Sequence, residues 1–322
     1  MPTLAAFSAE QAQRAKVFLA TQVASMMGRK LEEGDWSKVY CQAKGIPEVR
    51  WSNLHIDVSY NGLGLEMKLL RIGNLQGKPL RSVCGTALMH PAATRSIRID
   101  DASLPAPKVM ESVFAQYAEL IRQRRARVQA AAPGVAPDMR TGWLIWEDEL
   151  TEFLYFEEPM TAPDAARYFA EWNVTPARGV RKASKSLWIY EKTTKQKRYS
   201  VTTSAGVKIQ PYFDVPPPSD PNLCYFRVQS EPVGPDTICL WVAGSTARAL
   251  KERLGSLERD VVSAAILDAL REDTIPPAAT NPEEDLAVPV PISVVAHARL
   301  LAAWEAVSDE HRAQLLLKAL SQ

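Results

Sequence analysis

The sequence predicts a mixed α/β protein of the α+β kind. Three observations carry the prediction. Apolar stripes at helical spacing occur at residues 8–31 and 107–132. An Asn-Gly pair sits between two alternating apolar runs at residues 53–71. A succession of short β-rich runs then extends from "TGWLIWED" to "TICLWVAG". With 322 residues, 46% of them apolar, the chain is long enough to bury a sizeable core and to form two domains of ordinary size.

The elements follow in order. Ser8 and Gln11 form a capping-box pattern ahead of the first stripe, Ala12, Ala15, Val17, Phe18, Val23, Met26 and Met27. A second helix is expected at about 35–44, then the hairpin at 53–71. "RIGNLQGKPLRSVCGTALMHPAATRSIRIDD" is rich in Gly, Pro and Arg and reads as irregular, with a short strand near 95–99. Pro107 suits the first turn of the helix over 107–132. "TGWLIWED" and "ELTEFLYFEEPM" read as strands. Beyond a boundary near residue 160 lie a three-strand meander at about 185–215, strands in "NLCYFRVQ" and "TICLWVAG", and helices near 245–255, 257–272 and 293–320. The expected organisation is therefore residues 1–160 as one domain and 161–322 as a second, a β-meander and helical region. "VPPPSDP" and "DTIPPAATNPEEDLAVPVP" read as proline-rich connections.

A net charge of +1 means that any basic surface must be local. Cys41, Cys84, Cys224 and Cys239 are far apart, which argues against a zinc knuckle or a disulfide framework and for reduced thiols. The first twenty residues lack a signal-peptide apolar core, and no apolar run reaches the ~18 residues of a membrane span. A soluble, cytoplasmic protein with no membrane partner is expected. Walker loops, G-x-S-x-G and H-E-x-x-H are absent from the sequence.

The hairpin raises the chemical question. With Asn61 and Gly62 as a two-residue turn, Tyr60 faces Leu63, Ser59 faces Gly64, Val58 faces Leu65 and Asp57 faces Glu66. Alternation puts Leu54, Ile56, Val58 and Tyr60 on one face with Leu63, Leu65, Met67 and Leu69. It puts Asp57, Glu66 and Lys68 on the other. Opposed residues have Cβ atoms ~4.5–5.5 Å apart, so two carboxylates there repel unless something neutralises them. A divalent cation would do so, and Mg²⁺ takes one or two carboxylates while keeping several waters. Gly64 is expected to leave open space beside Glu66. Lys68 can hold an attacking water or meet developing phosphorane charge.

Asp57 with Glu66-Met67-Lys68 resembles the acidic position and the E-x-K tripeptide of the PD-(D/E)XK nuclease superfamily, which includes many type II restriction endonucleases. Ile56 stands where Pro is common. The resemblance covers about residues 33–157 and implies a PD-(D/E)XK-like core, a central mixed sheet flanked by helices. It also implies Mg²⁺-dependent phosphodiester hydrolysis, with Mn²⁺ as a substitute. Asp57, Glu66 and the Met67 carbonyl are the implied metal ligands, and Asp57, Glu66 and Lys68 the catalytic residues. An acid on the preceding helix often joins that site; Glu32, Glu33 and Asp35 are the three candidates.

Residues 178–208 carry nine Lys and Arg against one acid, Glu191, a local charge of +8, interleaved with Trp188, Tyr190 and Tyr199. Local cationic density of this kind suits phosphate contact. Lys182, Lys185, Lys192, Lys195, Lys197 and Arg198 are the expected DNA contacts, together with Arg95 and Arg98 of "HPAATRSIR". Arg122, Arg124, Arg125 and Arg127 are read as cations favoured at a helix end, and His297 as structural. The expected function is a sequence-specific endonuclease acting on double-stranded DNA as a homodimer. The competing readings are a non-catalytic DNA-binding module and a nuclease of another defence or repair setting.

Overall fold

The computed structural model describes residues 5–26, 30–47, 56–73, 75–90, 97, 99–147, 150–177, 183–203, 209–269 and 286–305. The first helices are α1 (Ala9–Met26) and α2 (Glu33–Lys44), followed by strands β1 (Val58–Tyr60), β2 (Leu63–Ile72) and β3 (Ala87–Met89). Then come α3 (Ala106–Ala131), β4 (Asp138–Glu147) and β5 (Glu152–Pro159). A four-strand run follows: β6 (Tyr168–Thr175), β7 (Ser184–Glu191), β8 (Lys197–Thr202) and β9 (Ile209–Asp214). The chain continues through β10 (Cys224–Arg227), β11 (Glu231–Gly234), β12 (Thr237–Ala243), α4 (Gly244–Leu254), α5 (Arg259–Ala269), β13 (Ala287–Ser293) and α6 (Val294–Glu305). The fold is mixed α/β, and among the described residues no helix is long and apolar enough to cross a membrane.

Three sheets organise it. The first has strand order β1-β2-β4-β5-β10 and the second β3-β9-β8-β7-β6; β11-β12-β13 form the third. In the first sheet β2 and β4 run parallel, with α3 in the crossover between them, and its other pairings are antiparallel. One face of this sheet buries Leu65, Met67, Leu144, Phe153 and Tyr155 beneath Leu19, Trp36, Val39 and Tyr40 of α1 and α2. The other face meets α3: Met139 and Met160 pack on Ile121 and Val128. The opposite end of α3 covers the second sheet, with Val109, Met110, Val113 and Phe114 on Leu187, Ile189, Val201 and Ile209. A single helix thus bridges two sheets, and a cleft lies between them.

Local signals account for much of this. Ser8 and Gln11 cap α1 reciprocally, each backbone amide donating to the other's side chain at 3.0 and 3.1 Å. Gly45, at φ 68°, closes α2 in the left-handed region that favours glycine. Asn61 and Gly62 have φ of 44° and 83°, as a type I′ turn requires.

The structure corrects two expectations. Residues 287–293, expected to be part of a proline-rich connection, form β13. Among the described residues it pairs only with β12, so Pro289 and Pro291 lie on an edge strand where a missing amide leaves no ladder bond unmade. Ile56 does not share a face with Val58. The chain bends at Asp57, and Ile56 packs with Ile121 and Val128 on the α3 side. Two strand pairings also cross the expected boundary near residue 160: β3 joins β9, and β10 joins β5. The strand expected near 95–99 falls largely outside the described residues.

Candidate active site

The turn sets the register that its two residues predict: Val58 opposes Leu65, Ser59 opposes Gly64 and Tyr60 opposes Leu63. The ladder stops at Val58. One residue before it, Asp57 accepts a hydrogen bond from the Met67 amide through Oδ2 at 2.5 Å. The side chain therefore takes over a backbone position at the end of the short edge strand and stands beside Glu66. No Lys or Arg among the described residues forms an ion pair with Asp57. Burial and the neighbouring Glu66 charge push its carboxyl up to about 6.

Glu66 lies on the opposite face of β2 from the fully buried Leu65 and Met67, and is itself 9% exposed. Its Oε1 is 2.7 Å from Lys68 Nζ and its Oε2 is 3.1 Å from Arg124 Nη2. Lys68 Nζ also lies 3.8 Å from Glu33 Oε1. Burial alone would lower the Lys68 ammonium, but the carboxylates of Glu66 and Glu33 outweigh it and raise its pKa. Glu33 is raised too, by burial and by Glu66, with Lys68 opposing.

The three candidates on the preceding helix thereby separate. Glu32 and Asp35 form a reciprocal capping box at the start of α2, the Glu32 amide donating to Asp35 at 2.9 Å. Asp35 is engaged further by Gln22 Nε2 at 2.8 Å. Glu33 faces the strand that carries Glu66 and Lys68. Three acids, Glu33, Asp57 and Glu66, now face two cations, Lys68 and Arg124.

Arg124 does not serve as a helix-end cation. The helix runs on to Ala131, and Arg124 sits in its body with its guanidinium on Glu66. The signal is present in the sequence: Tyr117, Ile121, Arg124 and Val128 lie on one helical stripe, so an arginine there points inward. The space expected beside Gly64 is also filled. A Cβ at that position would come within 2.7 Å of Val128 Cγ2 and 2.8 Å of Met139 Sδ.

Register across β2, β4 and β5 aligns Glu66, Thr141 and Glu158 in one row, and Lys68, Trp143 and Phe156 in the next. The first row, with Lys68 and Trp143 of the second, floors the cleft between the two sheets, a cavity of about 490 Å³ also lined by Tyr199, Tyr212 and Phe213. His90 closes one side. It is 1% exposed, and its Nε2 lies 3.0 Å from the Leu69 carbonyl oxygen.

Among the described residues no group of three or more His, Cys, Asp or Glu side chains could hold a metal ion unaided. The donor set nonetheless suits a hard divalent cation that keeps part of its water. Asp57 and Glu66 offer oxygens, and the Asp57 carboxyl is crowded by a second acid without a cation of its own.

The basic meander is less available than its charge suggests. Lys185 Nζ donates to the Ala102 carbonyl at 2.5 Å and lies over the Trp172 ring. Arg198 pairs with Asp214 at 2.7 Å, and its Nε lies 3.9 Å from Glu191. Lys192 is exposed and reaches the Ala166 carbonyl at 2.8 Å. Lys195 lies over Phe169, and Lys197 lies between Trp188 and Tyr212. Arg95, Arg98 and Lys182 lie outside the described residues. No family model, curated protein or solved structure matches this chain.

Proposed function

We propose that this protein is a Mg²⁺-dependent endonuclease of the PD-(D/E)XK type that hydrolyses phosphodiester bonds in double-stranded DNA. The observation that carries the reading is the convergence of Glu33, Asp57, Glu66 and Lys68 from α2, the residue before β1, and β2. Asp57, Glu66 and the Met67 carbonyl are the groups that would hold the metal. When bound, the ion would supply a polarised phosphate oxygen and an activated water. Lys68 orients that water by donating a hydrogen bond and meets negative charge that develops on the phosphorus oxygens. Arg124 holds the Glu66 carboxylate in place, and Glu33 does the same for the Lys68 ammonium. Cutting both strands of a duplex calls for two such sites, hence a homodimer.

One observation favours the competing reading of a polar cluster without chemistry: Glu66 is already paired with Lys68 and Arg124. Against it stand Glu33 and Asp57, which leave the cluster one negative charge in excess. Plasmid and genomic DNA incubated with the protein in EDTA, Ca²⁺ or Mg²⁺ decide the matter. Mg²⁺ or Mn²⁺ should support cleavage. Ca²⁺, which prefers more ligands at longer distances, should support binding alone. Full cleavage in EDTA, or none with any divalent ion, overturns the proposal.

A further inference from the structure

Both oxygens of Glu66, the carboxylate at the centre of the cluster, are already taken. Lys68 Nζ lies 2.7 Å from Oε1 and Arg124 Nη2 lies 3.1 Å from Oε2. Mg²⁺ binds carboxylate oxygens at about 2.0–2.1 Å. An ammonium and a dication on the same oxygen would face each other closely with little charge between them, and in a buried cluster salt screens that repulsion poorly. A metal at Glu66 therefore calls for one of the two cations to let go.

The cations differ in what else holds them. Arg124 forms an ion pair with Glu66 alone among the described residues, and its side chain is only 16% exposed. Letting go would leave a largely buried guanidinium without a carboxylate, which is strongly unfavourable. Lys68 has a second carboxylate in reach. Glu33 Oε1 lies 3.8 Å from its Nζ, inside ion-pair range and too long for a hydrogen bond. The first turn of α2, which carries Glu33, is fixed by the capping box of Glu32 and Asp35. Among the described residues β1 pairs with β2 no further than Leu65. The edge of β2 beside Glu66 and Lys68 therefore carries no strand ladder, and a carboxylate at the start of α2 can meet a side chain of the cleft face round it.

We propose that Glu33 is a positioning residue that takes over the Lys68 ammonium when a metal loads at Asp57 and Glu66. In the metal-free protein Lys68 sits on Glu66 and stands in for the charge of the ion. On loading, its ammonium passes to Glu33, Glu66 Oε1 is released to the metal, and Arg124 keeps Oε2 fixed. No proton moves: the ammonium keeps all three, and both carboxylates stay ionised. One N–H then points at Glu33, and the others remain for the water that Lys68 orients. The inference rests on the nuclease reading for the presence of the metal, and it assigns Glu33 to the ammonium and not to the ion.

A double-mutant cycle on metal affinity tests it, read by calorimetric titration of the intact protein with Mn²⁺ in the absence of DNA. Lys68→Met removes the competitor and should tighten Mn²⁺ binding at least about fivefold. Glu33→Gln deprives Lys68 of its second carboxylate and should weaken Mn²⁺ binding by at least about fivefold. In the Lys68→Met background, Glu33→Gln should change the affinity by less than about twofold, because nothing remains to be exchanged. Lys68→Gln, which keeps a hydrogen-bond donor at the site, repeats the cycle should Lys68→Met fail to fold. Equal weakening by Glu33→Gln in both backgrounds makes Glu33 a direct ligand or a bare charge and overturns the exchange. Unchanged or looser binding in the Lys68 variants overturns it as well. Asp57→Asn is the control and should abolish saturable binding in every background. A cycle without coupling, with Asp57→Asn still abolishing binding, leaves the metal site standing and the exchange refuted. Mn²⁺ binding that survives Asp57→Asn, or no binding by any protein of the cycle, overturns the metal site and the exchange together.

Discussion

Glu157 and Glu158 are neighbours on one strand, yet they belong to opposite kinds of site. Glu157 points into the core under α1 and α2, where it is 1% exposed. Arg140 Nη1 reaches its Oε2 at 2.8 Å and the Tyr155 hydroxyl donates to Oε1 at 3.0 Å. Gly142 makes room for this, since a Cβ there would lie 2.6 Å from the Tyr155 hydroxyl oxygen. On the other face, Glu158 has an indole N–H and no ion pair among the described residues, while Asp57, Glu66 and Glu33 share two cations. The first face resolves its charge within the fold. The second leaves negative charge unresolved, and on the reading proposed above a divalent cation held by Asp57 and Glu66 would resolve it.

The largest expected effect tests the unresolved side. Asp57→Ala, Glu66→Ala and Lys68→Ala should each reduce Mg²⁺-dependent cleavage by at least about a hundredfold. Asp57→Ala should leave denaturant stability unchanged or higher, because it removes a repelling acid. Near wild-type cleavage by any of the three would mean that the site is misassigned.

Glu157 should behave in the opposite way. Glu157→Ala takes away the buried partner of Arg140 but leaves it bonded to Asp138, whose Oδ2 accepts from Nε at 2.9 Å, so the cost is about 1–3 kcal/mol, that of an unmade buried hydrogen bond. Urea unfolding should show that loss, while the folded fraction should keep its cleavage rate. A loss below about 1 kcal/mol would erase the contrast between the two faces.

Acidity sharpens the comparison further. The Asp57 carboxyl is raised in the folded state to about 6, so from the ordinary carboxylate range up to that point the folded protein holds a proton that the unfolded chain has lost. Stability contributed by this group should therefore fall as pH rises through that window and level off above it. The loss is on the order of 3 kcal/mol, at ~1.4 kcal/mol per pH unit. Stability curves of the wild type and Asp57→Asn, with and without Mg²⁺, check it. Both the substitution and the ion should flatten the slope, and a wild-type curve that rises across the window would contradict the proposed crowding.

The smallest effect concerns the meander. Lys192→Ala, Lys195→Ala and Lys197→Ala combined should lower the salt slope of DNA binding by ~0.9 for each phosphate that is no longer neutralised. Arg198→Ala should instead lower stability, since its guanidinium is held by Asp214. An unchanged salt slope in the triple variant would place the DNA on the cleft and α3 alone.

What the sequence determined by itself is local, because the physics behind it is local. Asn61-Gly62 dictates a turn whose dihedrals permit one register, and that register aligns Ser59 with Gly64. Ser8 and Gln11 lie three residues apart and cap one helix. Helical spacing located α3, and alternating apolar residues located the meander strands. Only the tertiary structure decided which acid of α2 faces Lys68, because Glu32 and Asp35 differ from Glu33 in what the capping box consumes, not in chemistry. It also brought Arg124 to Glu66 and Glu158 into the cleft, through pairings of segments 58 and 17 residues apart. The same holds for β13, whose prolines are tolerated because of where the strand sits, and for the exchange of β3 and β10 between sheets. Periodicity reports which face of an element is apolar. It carries no information about which other face that one meets, since burial free energy depends on area removed from water and not on the identity of the covering element.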